Sequence, residues 1–292
     1  MEVFLKEFRL LTEDEENSMC QKPIFSRMVF NTNYPLRIFC NKGFRHVLFE
    51  PITIFYGGNG SGKTTLLNII ADKIKAERKS IENRGELFSQ YVIGTKVKWN
   101  NRELLSKIKF ISSDDIFDYL LDVRAINSGT NRRKEELIKE HVNFKYGKNK
   151  KIRNALEDYE ELKKQNDARA KTSREYMRSQ LRNNNILQFS NGESALDFWQ
   201  AEIDRDGIYI LDEPENSLSA ENILKLKKFI EESSRFFNCQ FIISTHSPFL
   251  LALDNAKIYD LDENPVIDKP WNKLKNIQIY YDFFKEHEKL FL

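Results

Sequence analysis

Cysteine is scarce in this chain. There are three in 292 residues, Cys20, Cys40 and Cys239, and no two form a Cys-x-x-Cys pair. The four histidines, His46, His141, His246 and His287, do not cluster near them. This pattern argues against a disulfide framework and fits free thiols in a reducing compartment. Long apolar runs are missing too. A membrane helix needs roughly 20 apolar residues, and the densest stretches, Phe241 to Ile243 and Phe249 to Leu253, are far shorter. The N-terminus alternates charged with apolar residues and has no signal-peptide core. The expectation is a cytoplasmic protein that does not enter a membrane. Internal repeats and low-complexity segments are absent from the sequence.

What is present is 40% hydrophobic residues, 31% charged residues and 22 phenylalanines, in a length that suits one large domain or two small ones. The formal net charge is +2, but residues 131–185 hold 16 Lys or Arg against 9 Asp or Glu. That stretch is poor in Pro and Gly and reads as two or more polar helices. Glu2 to Leu11 reads as an edge strand, Glu13 to Glu16 as a turn, and Leu36 to Phe39, Val47 to Phe49 and Ile52 to Tyr56 as β-rich runs. Thr64 to Glu77 has helical periodicity, with Leu66, Leu67, Ile70 and Ile74 on one face. Ile108 to Ile111 reads as a short strand and Ile116 to Ile126 as a helix. Ile208 to Leu211 and Phe241 to Ser244 are short apolar strands of the buried parallel kind, with a helix over Ala220 to Phe236 between them. This rhythm predicts an α/β fold.

Four motifs carry chemistry. The first is Gly57-Gly58-Asn59-Gly60-Ser61-Gly62-Lys63-Thr64, followed by Thr65, which matches GxxxxGK[ST] between a strand and a helix. Glycines let backbone N–H groups turn inward as an anion cradle, and the helix N-terminus adds partial positive charge. Lys63 is placed for the β- and γ-phosphates of a bound nucleotide, Thr64 for Mg²⁺ and Thr65 for the α-phosphate. The second is Asp212-Glu213 at the end of an apolar strand: Asp212 for Mg²⁺, Glu213 to polarise the attacking water. The third is Ser190-Asn191-Gly192-Glu193, 22 residues before Asp212. Its serine, taken alone, reads as a helix N-cap. The fourth is Ser244-Thr245-His246-Ser247 after the next strand. There His246 is placed to hydrogen-bond the γ-phosphate or the attacking water.

In this order the motifs resemble the ABC-type ATPase domain. Gly57–Thr64 matches Walker A, Ser190–Glu193 the signature, Asp212-Glu213 Walker B, Asn216-Ser217-Leu218-Ser219 the D-loop and His246 the switch histidine. The resemblance implies a P-loop NTPase fold with a mixed β-sheet core and an inserted helical lobe. The core is expected over residues 1–130 and 186–265, the lobe over 131–185, and a helical tail over 266–292. It also implies a homodimer in ATP, with Ser190 and Gly192 of one copy completing the site built on Lys63 of the other. Two departures stand out. Asn191 replaces the usual second signature glycine, and the Q-loop glutamine is missing. Its place falls on Phe110 to Asp115, so Ser113 or Asp114 is the candidate metal-facing residue, with Gln90 as an alternative.

Phe44-Arg45 ahead of the phosphate loop looks like the soluble RecF, SMC and OLD branch, in which that element lies beside the nucleotide. The heptad pattern Ile152, Leu156, Tyr159, Leu162 stops at Lys163, so no long arm is expected, and no cysteine pair offers a zinc hook. The 46 residues after His246 are too few for a toprim-like nuclease domain. The expected role is therefore an ATP switch for a nucleic-acid partner or a separate effector, as in DNA repair or antiviral defence. The basic lobe is the hint of nucleic acid. The alternative is the nucleotide-binding subunit of a membrane transporter. The aromatic stretch Ile277 to Phe291 reads either as a docked C-terminal helix or as a partner-binding tail.

Overall fold

A computed structural model describes residues 3–21, 33–79, 87–146, 198–216 and 218–291. The signature segment 190–193 and residues 147–185 of the basic stretch lie outside the described residues. In chain order the elements are β1 (Leu5–Arg9), α1 (Glu13–Cys20), β2 (His46–Leu48), β3 (Ile52–Tyr56), α2 (Lys63–Ile74), α3 (Phe88–Gly94), β4 (Lys96–Trp99), β5 (Lys107–Ser112) and α4 (Ser113–Tyr146). A helical stretch at 198–202 precedes β6 (Gly207–Asp212), α5 (Ala220–Phe236), β7 (Gln240–Ser244), α6 (Pro248–Leu251), β8 (Lys257–Asp260), β9 (Ile267–Asp268) and α7 (Lys275–Glu286). The chain divides into two compact units, Met1–Asp118 with Gly192–Leu292, and Tyr119–Asn191. The described part of the second is the continuation of α4.

In the first unit a six-stranded sheet runs β5-β6-β7-β3-β8-β9. The first five strands are parallel and β9 is antiparallel to β8. Every residue of β3, β6 and β7 is buried, which explains their unbroken apolar runs. Helix α2 buries Leu66, Leu67, Ile69, Ile70, Ala71 and Ile74, and α5 buries Ile223, Leu226 and Ile230. Helix α2 stops at Ile74 because Lys75 turns left-handed with φ 60°, short of the expected Glu77. Glu77 instead bridges to Lys109 beside β5.

A second, antiparallel sheet has the order β2-β1-β4. Here β1 is central, not the edge strand its charges suggested. Leu5 and Phe8 are fully buried while Lys6 is exposed, so the charges occupy the wet face of a one-sided sheet. The acidic run Glu13–Glu16, expected as a turn, is the first turn of α1. Thr12 accepts from Glu15 N and the Glu15 carboxylate accepts from Thr12 N, a reciprocal cap. The expected strand at Leu36–Phe39 is a series of turns into a short 3₁₀ helix, Cys40–Lys42, because Arg37 sits at φ 62° and interrupts any extended run. Two side chains join the sheets: Tyr259 OH of β8 accepts from Leu48 N (2.9 Å) and donates to Leu48 O (3.0 Å) of β2, and Gln240 of β7 reaches β1. Gln240 Oε1 accepts from Phe4 N (3.0 Å) and Leu5 N (2.9 Å), and Nε2 donates to Leu5 O (2.9 Å) and Glu50 O (3.3 Å).

Helix α7 is attached at its start. Leu274 and Ile277 are buried, and Asn276 N donates to Tyr56 OH at 3.3 Å. Tyr280, Tyr281, Phe283 and Phe284 beyond them are exposed. Among the described residues no helix is long and apolar enough to cross a membrane.

Candidate functional site

Parallel strands deliver the loops at their carboxyl ends to one edge of the sheet, and ligands of open α/β sheets bind in the crevice outside those ends. The phosphate loop follows β3, Asp212-Glu213 ends β6, and Thr245-His246 follows β7. At two of its glycines, Gly57 and Gly62, the loop leaves no room for a side chain. Gly62 has φ 103°, and a Cβ there would meet Ile38 Cγ2 at 3.0 Å. At Gly57 a Cβ would lie 2.6 Å from Ser61 Oγ. Gly57→Ala is therefore expected to displace the loop rather than the core, weakening ATP affinity about tenfold. Titration with a fluorescent ATP analogue checks this, and wild-type affinity would show that the loop tolerates the methyl group.

A cleft of about 320 Å³ is lined by Ile38, Asn59–Thr65 and Glu213. Lys63 is 5% exposed and its ammonium donates to Gly57 O (2.9 Å) and Gly58 O (3.1 Å), with Glu213 Oε1 3.7 Å away. Ser61 Oγ is buried with no hydrogen-bond partner. A buried cation resting on loop carbonyls and an orphaned hydroxyl, both on a cleft built of glycine-rich backbone, fit a polyphosphate.

Thr64 Oγ1 donates to Asp212 Oδ1 at 3.2 Å, and Ser244 Oγ donates to the same oxygen. Burial pushes the Asp212 carboxyl upward, against the pull of these two hydroxyls. A divalent cation would offset that burial. No group of three or more His, Cys, Asp or Glu that could hold a metal occurs among the described residues. The Thr64 hydroxyl and the buried Asp212 carboxyl, in contact at 3.2 Å, are oxygen ligands of the kind Mg²⁺ takes, one or two from protein and the rest from phosphate and water.

Glu213 stands at φ 50°, an uncommon conformation for a non-glycine residue. It is held there by its own N–H, which donates to Ser244 Oγ and Ser244 O, each at 3.1 Å. Its carboxylate meets His246 Nε2 at 3.5 Å and accepts from Asn216 Nδ2 at 3.1 Å. Lys63, Thr64, Asp212, Glu213 and His246 are therefore brought together.

Other expectations fare differently. Ser190 and Gly192 lie outside the described residues. Asp114 is exposed on the first turn of α4, because the helix begins at Ser113 and turns it outward. The carboxylate that turns inward is Asp115, which accepts from Ser112 N (2.8 Å) and Ser112 Oγ (2.9 Å). Gln90 is exposed on α3 in a cleft shared with Leu11 and Met19, not at the phosphate loop. Phe44 is buried against Phe39 and Tyr259 and Arg45 is exposed, so Ile38 is the residue of that segment that lines the cleft.

Three residues that the motifs did not reveal hold the site. Asp262 accepts from Gly58 N through both oxygens (3.0 and 2.8 Å), and Lys42 Nζ donates to Ser61 O (2.8 Å) and Leu261 O (2.7 Å). Glu215 accepts from the loop that carries His246. Lys42 lies 19 residues from Ser61 and Asp262 lies 204 residues from Gly58, so no local pattern links either to the phosphate loop.

The profile of one protein family, described as ABC transporter, matches residues 49–216. A stretch of 39 residues is 56% identical to the erythromycin resistance ATP-binding protein MsrA of Staphylococcus epidermidis, covering 13% of this chain and 8% of that protein. Among solved structures, the SMC head domain from Thermotoga maritima is 15% identical, with a TM-score of 0.39 over 92% of this chain and 99% of that one. The ATP-binding cassette MJ0796, in a dimeric post-hydrolysis state bound to ADP and Pi, is 15% identical, with a TM-score of 0.36 over 78% of this chain and 90% of that one.

Proposed function

The chain belongs to the ABC transporter family, and on that premise we propose that it is an ATP-operated switch, working as a head-to-tail homodimer on a separate partner. It is an ATP hydrolase of the ABC type, with a P-loop fold. The single observation that supports our assignment of roles is the meeting of Lys63, Thr64, Asp212, Glu213 and His246 at the carboxyl edge of the sheet.

Phosphoryl transfer needs little covalent chemistry and much positioning. In our reading the amides of Gly57, Asn59, Gly60, Ser61 and Gly62 cradle the phosphates. Lys63 exchanges the carbonyls of Gly57 and Gly58 for β- and γ-phosphate oxygens, and Thr65 takes the α-phosphate. Glu213 orients a water whose oxygen attacks the γ-phosphorus as the bond to the bridging oxygen breaks, and it accepts the proton released. His246 bonds the γ-phosphate or that water. Mg²⁺ held by Thr64 and Asp212 would neutralise charge on the β- and γ-phosphate oxygens. Ser190 and Gly192 of a second copy would close the site over the γ-phosphate.

We further propose that residues 1–130 and 186–265 act as the ATP-binding core, 131–185 as the lobe that delivers the signature, and 266–292 as a tail. The partner we favour is a nucleic acid or a cytoplasmic effector, in DNA repair or antiviral defence, because the lobe carries the chain's excess of positive charge. The sequence Asn59-Gly60-Ser61-Gly62-Lys63, with Phe44-Arg45 ahead of it, favours the soluble RecF, SMC and OLD branch, and the short heptad run makes a long SMC-type arm the less favoured form of it. A second reading, the nucleotide-binding subunit of a membrane transporter, is favoured by the family's description. Turnover measured with and without DNA or RNA separates the two, since a nucleic-acid switch changes rate on addition and a transporter subunit does not. In the same assay Lys63→Ala should lower ATP turnover at least about 100-fold. A rate equal to wild type would mean that hydrolysis occurs elsewhere.

A further inference from the structure

We infer that Glu215 is a positioning residue for His246, its carboxylate holding the loop Thr245–Ser247 so that the imidazole reaches Glu213. The inference rests on the reading of Glu213 and His246 as parts of the hydrolytic site. One oxygen, Glu215 Oε1, accepts from Thr245 Oγ1, from His246 N at 3.0 Å and from Ser247 N at 3.2 Å. Ser247 N also donates to Thr245 Oγ1 at 3.0 Å, so the three residues form one knot around the carboxylate. Glu215 is 8% exposed and Thr245 is fully buried. The turn after β6 thus supplies two carboxylates with divided tasks. Glu213 faces the imidazole from one side, and Glu215 grips the backbone that carries it.

A purely stabilising role explains this arrangement poorly. Burial pushes the Glu215 carboxyl upward, and its second oxygen, Oε2, is buried with no hydrogen-bond partner. The desolvation of a buried carboxylate with one unsatisfied oxygen offsets part of what its three hydrogen bonds contribute to stability. The carboxylate's further contribution is geometric. The contact of 3.5 Å between His246 Nε2 and Glu213 Oε1 lies at the outer limit of a hydrogen bond, so a small shift of the loop breaks it. With a shorter or apolar residue at 215, three donors would lose their acceptor in a dry site and the loop would move to recover partners.

The test compares wild type with Glu215→Ala, Glu215→Gln, His246→Ala and the double variant Glu215→Ala/His246→Ala. Glu215→Ala should lower kcat about 10- to 100-fold, the scale of a misplacement near 1 Å, with ATP affinity unchanged within about twofold. The double variant should be no slower than the slower single variant. Glu215→Gln keeps an acceptor oxygen of the same reach and puts its amide where Oε2 is unpartnered, so it should recover most of the rate. Without nucleotide, the imidazole NMR signal of His246 should shift in Glu215→Ala and stay near its wild-type position in Glu215→Gln. Multiplying losses in the double variant, or an unshifted imidazole signal in Glu215→Ala, would overturn the inference. If Glu215→Ala does not fold, Glu215→Asp, which withdraws the carboxylate by one methylene, takes its place in the same comparisons. A wild-type rate for His246→Ala would sink the reading of His246, while the imidazole signal would still judge the positioning.

Discussion

Glu213→Gln is expected to cut ATP turnover about 10³-fold, within the range lost when a general base is removed, while ATP stays bound. The substitution keeps the size and backbone of the residue. Its N–H remains tied to Ser244, and its left-handed φ of 50° is imposed by that tie, not by the charge. The amide is far less basic than the carboxylate, so it gives the attacking water's proton no acceptor. In the same position it also loses its charge opposite Lys63, 3.7 Å away. Phosphate binding should therefore survive or tighten as Lys63 is released. Under the dimer proposal, the variant should collect as an ATP-bound dimer that size-exclusion chromatography with light scattering can see. A variant that stays monomeric in saturating ATP and Mg²⁺ would refute the shared site. One that hydrolyses at the wild-type rate would remove Glu213 from the chemistry.

The second large effect lies far from the nucleotide. Gln240 is fully buried and uses both ends of its amide, accepting from Phe4 N and Leu5 N and donating to Leu5 O and Glu50 O. Leucine has similar volume but no polar atom. Gln240→Leu would leave donors and acceptors unpaired in a dry core, and each such group costs about 1–3 kcal/mol. The expected destabilisation is about 3–5 kcal/mol, allowing for partial relaxation. For a chain of this size that lowers Tm by roughly 10 °C. Differential scanning calorimetry of the two proteins decides the matter. A Tm within about 2 °C of wild type would mean that the N-terminal sheet does not depend on this side chain.

The strand–loop–helix around Lys63 and the βαβ unit from Ile208 to Ser244 were legible because local rules dictate them. Glycine spacing marks the loop, and short apolar runs flanking an amphipathic helix mark parallel strands. The antiparallel sheet was harder. Its central strand carries Lys6, Glu7 and Arg9, and charge on a strand signals exposure of one face as readily as exposure of an edge. Glu13 to Glu16 misled for a related reason: acidic residues suit a turn, but after a Thr they also suit a capped helix start. The side chains proposed as catalytic are marked by motif, whereas the residues that hold them are not. Gly58 meets Asp262 across 204 residues, Lys42 meets Leu261 across 219, and Glu215 meets His246 across 31. No local pattern encodes such pairings, since the sheet order creates them.

The clasp of Lys42 and Asp262 on the phosphate loop bears on how nucleotide is captured. A glycine-rich segment is conformationally loose by itself, and ordering it at the moment of binding would consume entropy. Here one side chain grips the carbonyl of Ser61 and another grips the N–H of Gly58. The entropy of ordering the loop is then surrendered during folding, not at the encounter with ATP. Nucleotide would meet a loop already held in place, and little of its contact energy would go into ordering that loop.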